Sequence, residues 1–433
     1  MSSSDPATER PKKSFPAHFM AWLSGFGLAT ALLVILMVLT WLATLEQVHH
    51  GLHATLEKYF TPKELWVFPD AAVIFPDLAG KEKYLPPLPG GYWVCALLVI
   101  NLTLGGLIKL RKSPKTIGIL LSHFGIVFMM IAGGVAQLTE ERGLMMLSEK
   151  EGAGLPTTSD YAQSLTETTV EVIEVKDGKP VGQVHFVEDK YFKDLEKAGD
   201  TRTIRIPSLP FDLEFARYVQ NSRVVSAQSM APSRGEPIVE GWFLYGQDPG
   251  KMTEQDTPGV HVKVLGRDGK NSDPFILTVP EADSFAPRAP YTYRTGDRTF
   301  AIRMEKRIWP VPFQVRLKDA RSEYFPHTTK PKFFESDIVR IEDGRESDVF
   351  IEMNEPMRYA GLTFYQHTMI NSAPRDGGEA TISGFEVVRN PSDQWPKYSI
   401  YIAGFGLCLH FALKLWSFMT RGKSKTANAN QAA

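Results

Sequence analysis

Cysteine is scarce in this sequence. Only Cys95 and Cys408 occur among 433 residues, and both sit inside apolar runs. The polar parts of the chain therefore have no disulfide, no zinc-finger cluster and no Cys-x-x-Cys-His signature of covalent haem attachment. Neither sign of charge is in excess: 48 Lys and Arg oppose 49 Asp and Glu. No basic block dense enough to grip a nucleic-acid backbone is present, so no nucleic acid is expected as a partner. A phosphate-cradling glycine loop and a nucleophile elbow are also missing. Carboxylate pairs are common in the polar regions, and none is singled out by its context.

The chain does contain four long apolar runs. Thr116 to Leu138 carries no charge, and one ionisable side chain, His123, lies inside it. Its length suits the roughly 30 Å of bilayer hydrocarbon at about 1.5 Å per residue. Phe19 to Leu45, Gly90 to Ile108, and Tyr398 to Met419 (interrupted by Lys414) are the others. The first is too long for the apolar core of a secretory signal and reads as a retained helix. Arg10, Lys12 and Lys13 precede it; Lys109, Arg111, Lys112 and Lys115 join the second run to the third; Arg421, Lys423 and Lys425 follow the fourth. The positive-inside rule places these three clusters in the cytoplasm. The expected topology has cytoplasmic tails at 1–18 and 420–433, spans at 19–45, 90–108, 116–138 and 398–419, and extracytoplasmic segments at 46–89 and 139–397.

Leu45, Val48, Leu52, Leu56 and Tyr59 recur at helical spacing, which predicts an amphipathic helix along the membrane surface. Glu46, His50, His53 and Glu57 fall on another face. His49 and His53 stand at i, i+4, a spacing that can chelate a metal, although no third ligand accompanies them. The alternative places both histidines at the wet interface. Prolines 69, 76, 86, 87 and 89 stop any long element beyond.

Residues 139–397 read as β-rich. Segments 168–175, 181–187, 203–206, 260–265, 275–279, 313–317 and 338–341 are short, β-branched or aromatic, and punctuated by Gly, Pro and Asp. The fold class is an α-helical membrane protein of four transmembrane helices plus a large extracytoplasmic all-β, sandwich-like domain, long enough for two sandwiches. Leu209 to Phe215 echoes Val311 to Leu317, and an Ile-Arg pair precedes each, at 204–205 and 302–303.

Chemistry centres on imidazole within the apolar runs. An ionisable group in a span faces the bundle interior and marks a functional site. His123 lies seven residues into its run and His410 nine residues from the far end of the last one. Both then sit roughly 10–13 Å in from the cytoplasmic surface at about 1.5 Å per residue. Two histidines at one depth can be axial ligands of one haem; the alternative is that each hydrogen-bonds a neighbouring helix. Gly118, Ser122, Gly125, Ala132 and Ala136 form a small-residue stripe beside His123 that admits a close helix.

Several stretches carry a resemblance. Phe334-Glu335-Ser336-Asp337, then Asn354-Glu355-Pro356-Met357-Arg358-Tyr359-Ala360-Gly361, then Phe364-Tyr365-Gln366, resemble the ResB (CcsB) family of cytochrome c biogenesis proteins. Leu88-Pro89-Gly90-Gly91, Asn101-Leu102, Gly118 and His123-Phe124-Gly125 resemble its membrane half. Residues 190–300 match less clearly, and His367 stands where a small or hydroxyl residue is expected. The resemblance implies a bacterial cytoplasmic-membrane protein that works with a CcsA (ResC) type partner in a cytochrome c synthase. Such a complex moves haem across the membrane and attaches it to apocytochrome c. His123 matches the family's intramembrane haem-ligand histidine, with the opposite ligand supplied by the partner. The competing expectation is a non-catalytic scaffold or sensor whose β domain binds a partner protein.

Overall fold

The computed structural model describes residues 15–74, 86–152, 155–197, 199–233, 235–248, 250, 256–279, 289–328, 331–372 and 380–431. It divides into two compact units, Met1–Glu140 with Pro391–Ala433, and Glu141–Asn390.

In the first unit the chain forms α1 (Phe15–Leu23), α2 (Phe26–His50), α3 (Leu52–Phe60), α4 (Ala71–Ile74), α5 (Gly91–Leu102), α6 (Ile117–Thr139) and α7 (Trp395–Gln431). A π-helical turn, Thr103–Ile108, continues α5. Among the described residues four stretches are long and apolar enough to cross a membrane: Phe26–His50, Gly91–Ile108, Ile117–Thr139 and Trp395–Thr420. These mark a membrane protein.

The first apolar run is not one helix. It breaks at Ser24 and Gly25, so the span begins at Phe26 rather than Phe19. Side chains on the next span and just after it bond to groups at the break. Asn101 Nδ2 donates to Leu23 O (2.7 Å) and Gly25 O (3.1 Å), and Lys109 Nζ donates to Met20 O (2.8 Å) and to Ser24. An apolar medium has no water to satisfy a broken helix, so internal partners are obligatory.

The surface helix expected over 45–59 is likewise two helices. α2 ends at His50, Gly51 turns the chain at φ +78°, and α3 folds back. Glu46, expected on a polar face, is fully buried and ties this fold together. Its carboxylate accepts from Lys58 Nζ (2.7 Å), Tyr59 OH (2.8 Å) and the Asp70 amide (2.6 Å). Burial and this carboxylate push the Tyr59 phenol well above its ordinary range. The Leu88–Pro89 strand pairs with Trp66–Val67. Gly90 and Gly91 follow because a β-carbon would lie 2.1 Å from Glu64 O at the first and 2.4 Å from the Phe60 ring at the second.

The second unit is made of antiparallel sheets. A ten-stranded sheet runs in the order Arg345–Glu352, Pro331–Glu342, Arg298–Tyr324, Thr158–Lys176, Glu141–Ser148, Ala380–Arg389, Leu362–Ser372, Met357–Tyr359, with Tyr291–Thr295 and Lys179–Glu188 paired off this path. A four-stranded sheet orders Phe275–Thr278, Gly259–Gly266, Phe211–Val219 and Thr201–Arg205. Ser222–Ser226 and Trp242–Gly246 form a separate ribbon. The hairpin turns Asp177-Gly178, Asp343-Gly344 and Ala360-Gly361 hold both central residues at positive φ, the twist that two-residue hairpins require.

Two hydrophobic cores share the two longest strands. Val170, Val172, Phe300, Ile302 and Met304 pack with the four-stranded sheet around Phe211 and Phe215. Further along the same strands, Ala162, Trp309, Phe313 and Val315 pack with Phe364 and Phe385. Each fully buried side chain of this size contributes about 1.5–3 kcal/mol. The sequence echo is not a structural repeat. Ile204-Arg205 lies on a strand of its own, whereas Ile302-Arg303 continues directly into the strand holding Phe313 to Leu317.

Candidate functional site

α6 and α7 run antiparallel in close contact. The small-residue stripe on α6 meets a complementary one on α7: a β-carbon at Gly118 would lie 2.6 Å from Gly406 O, and one at Gly125 would lie 2.8 Å from Ala403 Cβ. Ser122 Oγ, near Ala403 O at 3.2 Å, also bonds Gly118 O at 3.0 Å on its own helix. Lower in the same seam, Ser392 Oγ donates to Ala132 O (3.0 Å). Backbones this near to each other need small residues.

His123 points away from that seam, toward the π-helical turn. There Lys109 N bonds Leu104 O, five residues back, at 2.9 Å. A β-carbon at Gly106 would lie 2.8 Å from His123 Cδ2 and 2.9 Å from Cγ, so only glycine leaves room for the half-buried imidazole. π-Helical turns of this kind recur at functional sites. His123 Nδ1 lies 2.9 Å from Ile119 O, one turn back on α6. A carbonyl only accepts, so Nδ1 is the donor in this bond. Nε2 has no hydrogen-bond partner among the described residues. Metal-bound imidazoles commonly donate their other ring N–H to a backbone carbonyl, which orients the ring in this way.

His410 is not brought to His123. Its backbone nitrogen abuts Gly118, at 2.5 Å from a β-carbon built there. Gly118 is five residues from His123, about 7.5 Å along α6 and about 140° around it. His410 Nδ1 is buried without a hydrogen-bond partner among the described residues. His49 is exposed, and the helix break at Gly51 separates it from His53, so the two do not share one helix; the His53 side chain lies outside the described residues. Among the described residues no group of three His, Cys, Asp or Glu side chains could hold a metal ion.

The motif residues of the β unit converge on structure. Ser336 Oγ donates to Gln366 Oε1 (2.8 Å) and lies 2.9 Å from Ser383 Oγ, and Gln366 Nε2 donates to Ser383 Oγ (2.9 Å). All three are buried. Their strands stand second, seventh and sixth in the sheet, so this closed ring of bonds holds a sheet that has curled on itself. Tyr359 ties the same strand further along: its hydroxyl donates to Glu342 (2.6 Å) and its ring lies 3.6 Å from the Arg340 guanidinium. His367 is exposed, with Nδ1 4.0 Å from Glu386 Oε2.

One further histidine carries no signal in the sequence. His261 is buried on the Gly259–Gly266 strand beside Arg217, whose guanidinium pairs with Glu236 at 2.9 Å. Its ring faces the carbonyls of Arg217 and Pro237 without reaching hydrogen-bond geometry. Burial holds its pKa below the ordinary value, partly opposed by Glu236.

The fold and these sites define a membrane protein of four apolar helices that carries a large antiparallel β unit. Residues 277–390, which contain the Ser336, Tyr359 and Gln366 motifs, match the model of the ResB-like family, a family linked to cytochrome c biogenesis. His123 and the helical unit lie outside the matched residues. No curated protein matches the chain.

Proposed function

We propose that this chain is a haem-handling subunit of a cytochrome c maturation complex, with His123 as an axial ligand to the haem it passes on. The observation that carries this reading is the Nδ1 bond to Ile119 O, which occupies one ring nitrogen and leaves Nε2 open to a ligand inside an apolar helix. Gly106 supports it by clearing the ring's flank. Haem is the cargo, and its iron supplies the coordination site that Nε2 fills. Among the described residues His123 offers the one such nitrogen beside the π-helical turn; in this reading a CcsA-type membrane partner supplies the opposite ligand and apocytochrome c receives the haem. Both termini lie in the cytoplasm and the β unit lies outside, a topology that the three basic clusters support.

The test is maturation in cells. His123→Ala keeps the protein inserted and abolishes covalent haem on a reporter cytochrome c, whereas His410→Ala matures it normally. Normal maturation in His123→Ala would replace this reading with that of an anchored scaffold. A reporter fused near residue 250 that is active only in the cytoplasm would overturn the topology.

A further inference from the structure

A half-open cavity of about 480 Å³ lies beside the loop that joins the π-helical turn to α6. Leu110, Ile117, Leu120, Leu409 and Leu413 wall it, and Lys112 lines it together with the loop's Ser113, Pro114 and Thr116. All of these belong to the helical unit. The five aliphatic walls offer a hydrocarbon chain what it needs and give a polar metabolite almost nothing to bond.

The loop is already shaped. The Ser113 amide donates to Thr116 Oγ1 (3.0 Å), the Thr116 amide donates to Ser113 O (2.9 Å), and Thr116 Oγ1 donates to Arg111 O (2.6 Å). Its charges are another matter. Lys109 is spent on Met20 O and Ser24, but Arg111, Lys112 and Lys115 are exposed and form no ion pair among the described residues. Lys112 thus brings positive charge to a groove fit for hydrocarbon, and Arg111 and Lys115 flank it on the same loop. Basic pockets between membrane helices at the cytoplasmic face suit anionic lipid headgroups.

We infer that this groove binds one phospholipid of net negative charge, with an acyl chain against Leu120, Leu409 and Leu413 and its phosphate beside Lys112. The site is separate from His123 and does not depend on haem binding.

The test uses the full chain, delipidated in detergent and titrated with phosphatidylglycerol or phosphatidylcholine under native mass spectrometry. The wild type takes up one phosphatidylglycerol in preference to phosphatidylcholine, and millimolar inorganic phosphate does not displace it. Lys112→Gln weakens phosphatidylglycerol binding about fivefold, the change expected for one basic side chain at a lipid surface. Arg111→Gln with Lys112→Gln and Lys115→Gln abolishes the preference between lipids. Leu409→Trp fills the groove and lowers binding of both. Equal affinity of the wild type for the two lipids would overturn the inference, and so would an unchanged preference in the triple variant. A co-purifying polypeptide that blocks lipid uptake at this groove would overturn it as well. The haem spectrum of the same samples reports separately on His123.

Discussion

In the β unit, the polar groups buried at the family-like motifs satisfy one another: Ser336, Gln366 and Ser383 form a ring with no free arm. The helical unit treats Glu46 and Asn101 in the same way, each bonded to the backbone or side chains it braces. His123 is treated differently. It spends one ring nitrogen on its own helix and keeps the other. A closed network is what architecture needs, whereas an imidazole oriented through one ring nitrogen with the other left open is what a ligand needs. His261 tests the distinction from the other side, because it is buried in the β unit with neither nitrogen bonded.

The largest structural effect should come from Glu46. Glu46→Ala leaves the Tyr59 hydroxyl and the Asp70 amide without their acceptor, at a cost on the order of 3 kcal/mol. The melting midpoint of the purified protein should fall by several degrees, and α3 should become sensitive to protease. An unchanged melt would mean that the network decorates the fold without bracing it. A smaller loss is expected from Gln366→Ala, about 2 kcal/mol, because Ser336 and Ser383 keep each other as partners. If that variant melts like the wild type, the ring does not hold the curled sheet.

Much of this arrangement is legible in the sequence, and the exceptions have physical causes. Apolar length alone places all four spans. The break at Ser24–Gly25 is not read from the sequence because the run stays uncharged through it, and Asn101, which bonds Leu23 O and Gly25 O there, lies on another helix. Glu46 reads as a surface residue because its partners come from a fold-back at Gly51 that periodicity does not register. In the β unit, Phe313–Leu317 reads as a short strand because Pro310 and Pro312 precede it, yet the chain runs on from Arg298 to Tyr324. The pairing with Thr158–Lys176 shifts register between Pro310 and Val315, and that irregularity accommodates the prolines. Glu141–Ser148 and Arg345–Glu352 open on charged residues and are missed for that reason. At the candidate site, His123 stands out in the sequence, but Ile119 O and the π-helical turn at Gly106 emerge only from the fold.

The smallest effect concerns His261. Its pKa is held below 6.5 in the folded chain, so below that pH the unfolded chain binds the proton more readily. The stability this residue contributes is complete above pH 6.5 and declines as the pH falls toward the depressed folded value. The wild type should therefore lose more melting temperature between pH 7 and pH 5 than His261→Leu does. Parallel profiles would show that His261 is not the group that titrates.

The most direct measurement is the visible absorption spectrum of the protein purified with its membrane partner, wild type beside His123→Ala and His410→Ala. A haem Soret band in the wild type and in His410→Ala, lost in His123→Ala and partly regained on adding imidazole, is the predicted result. Equal haem in wild type and His123→Ala would contradict the ligand role.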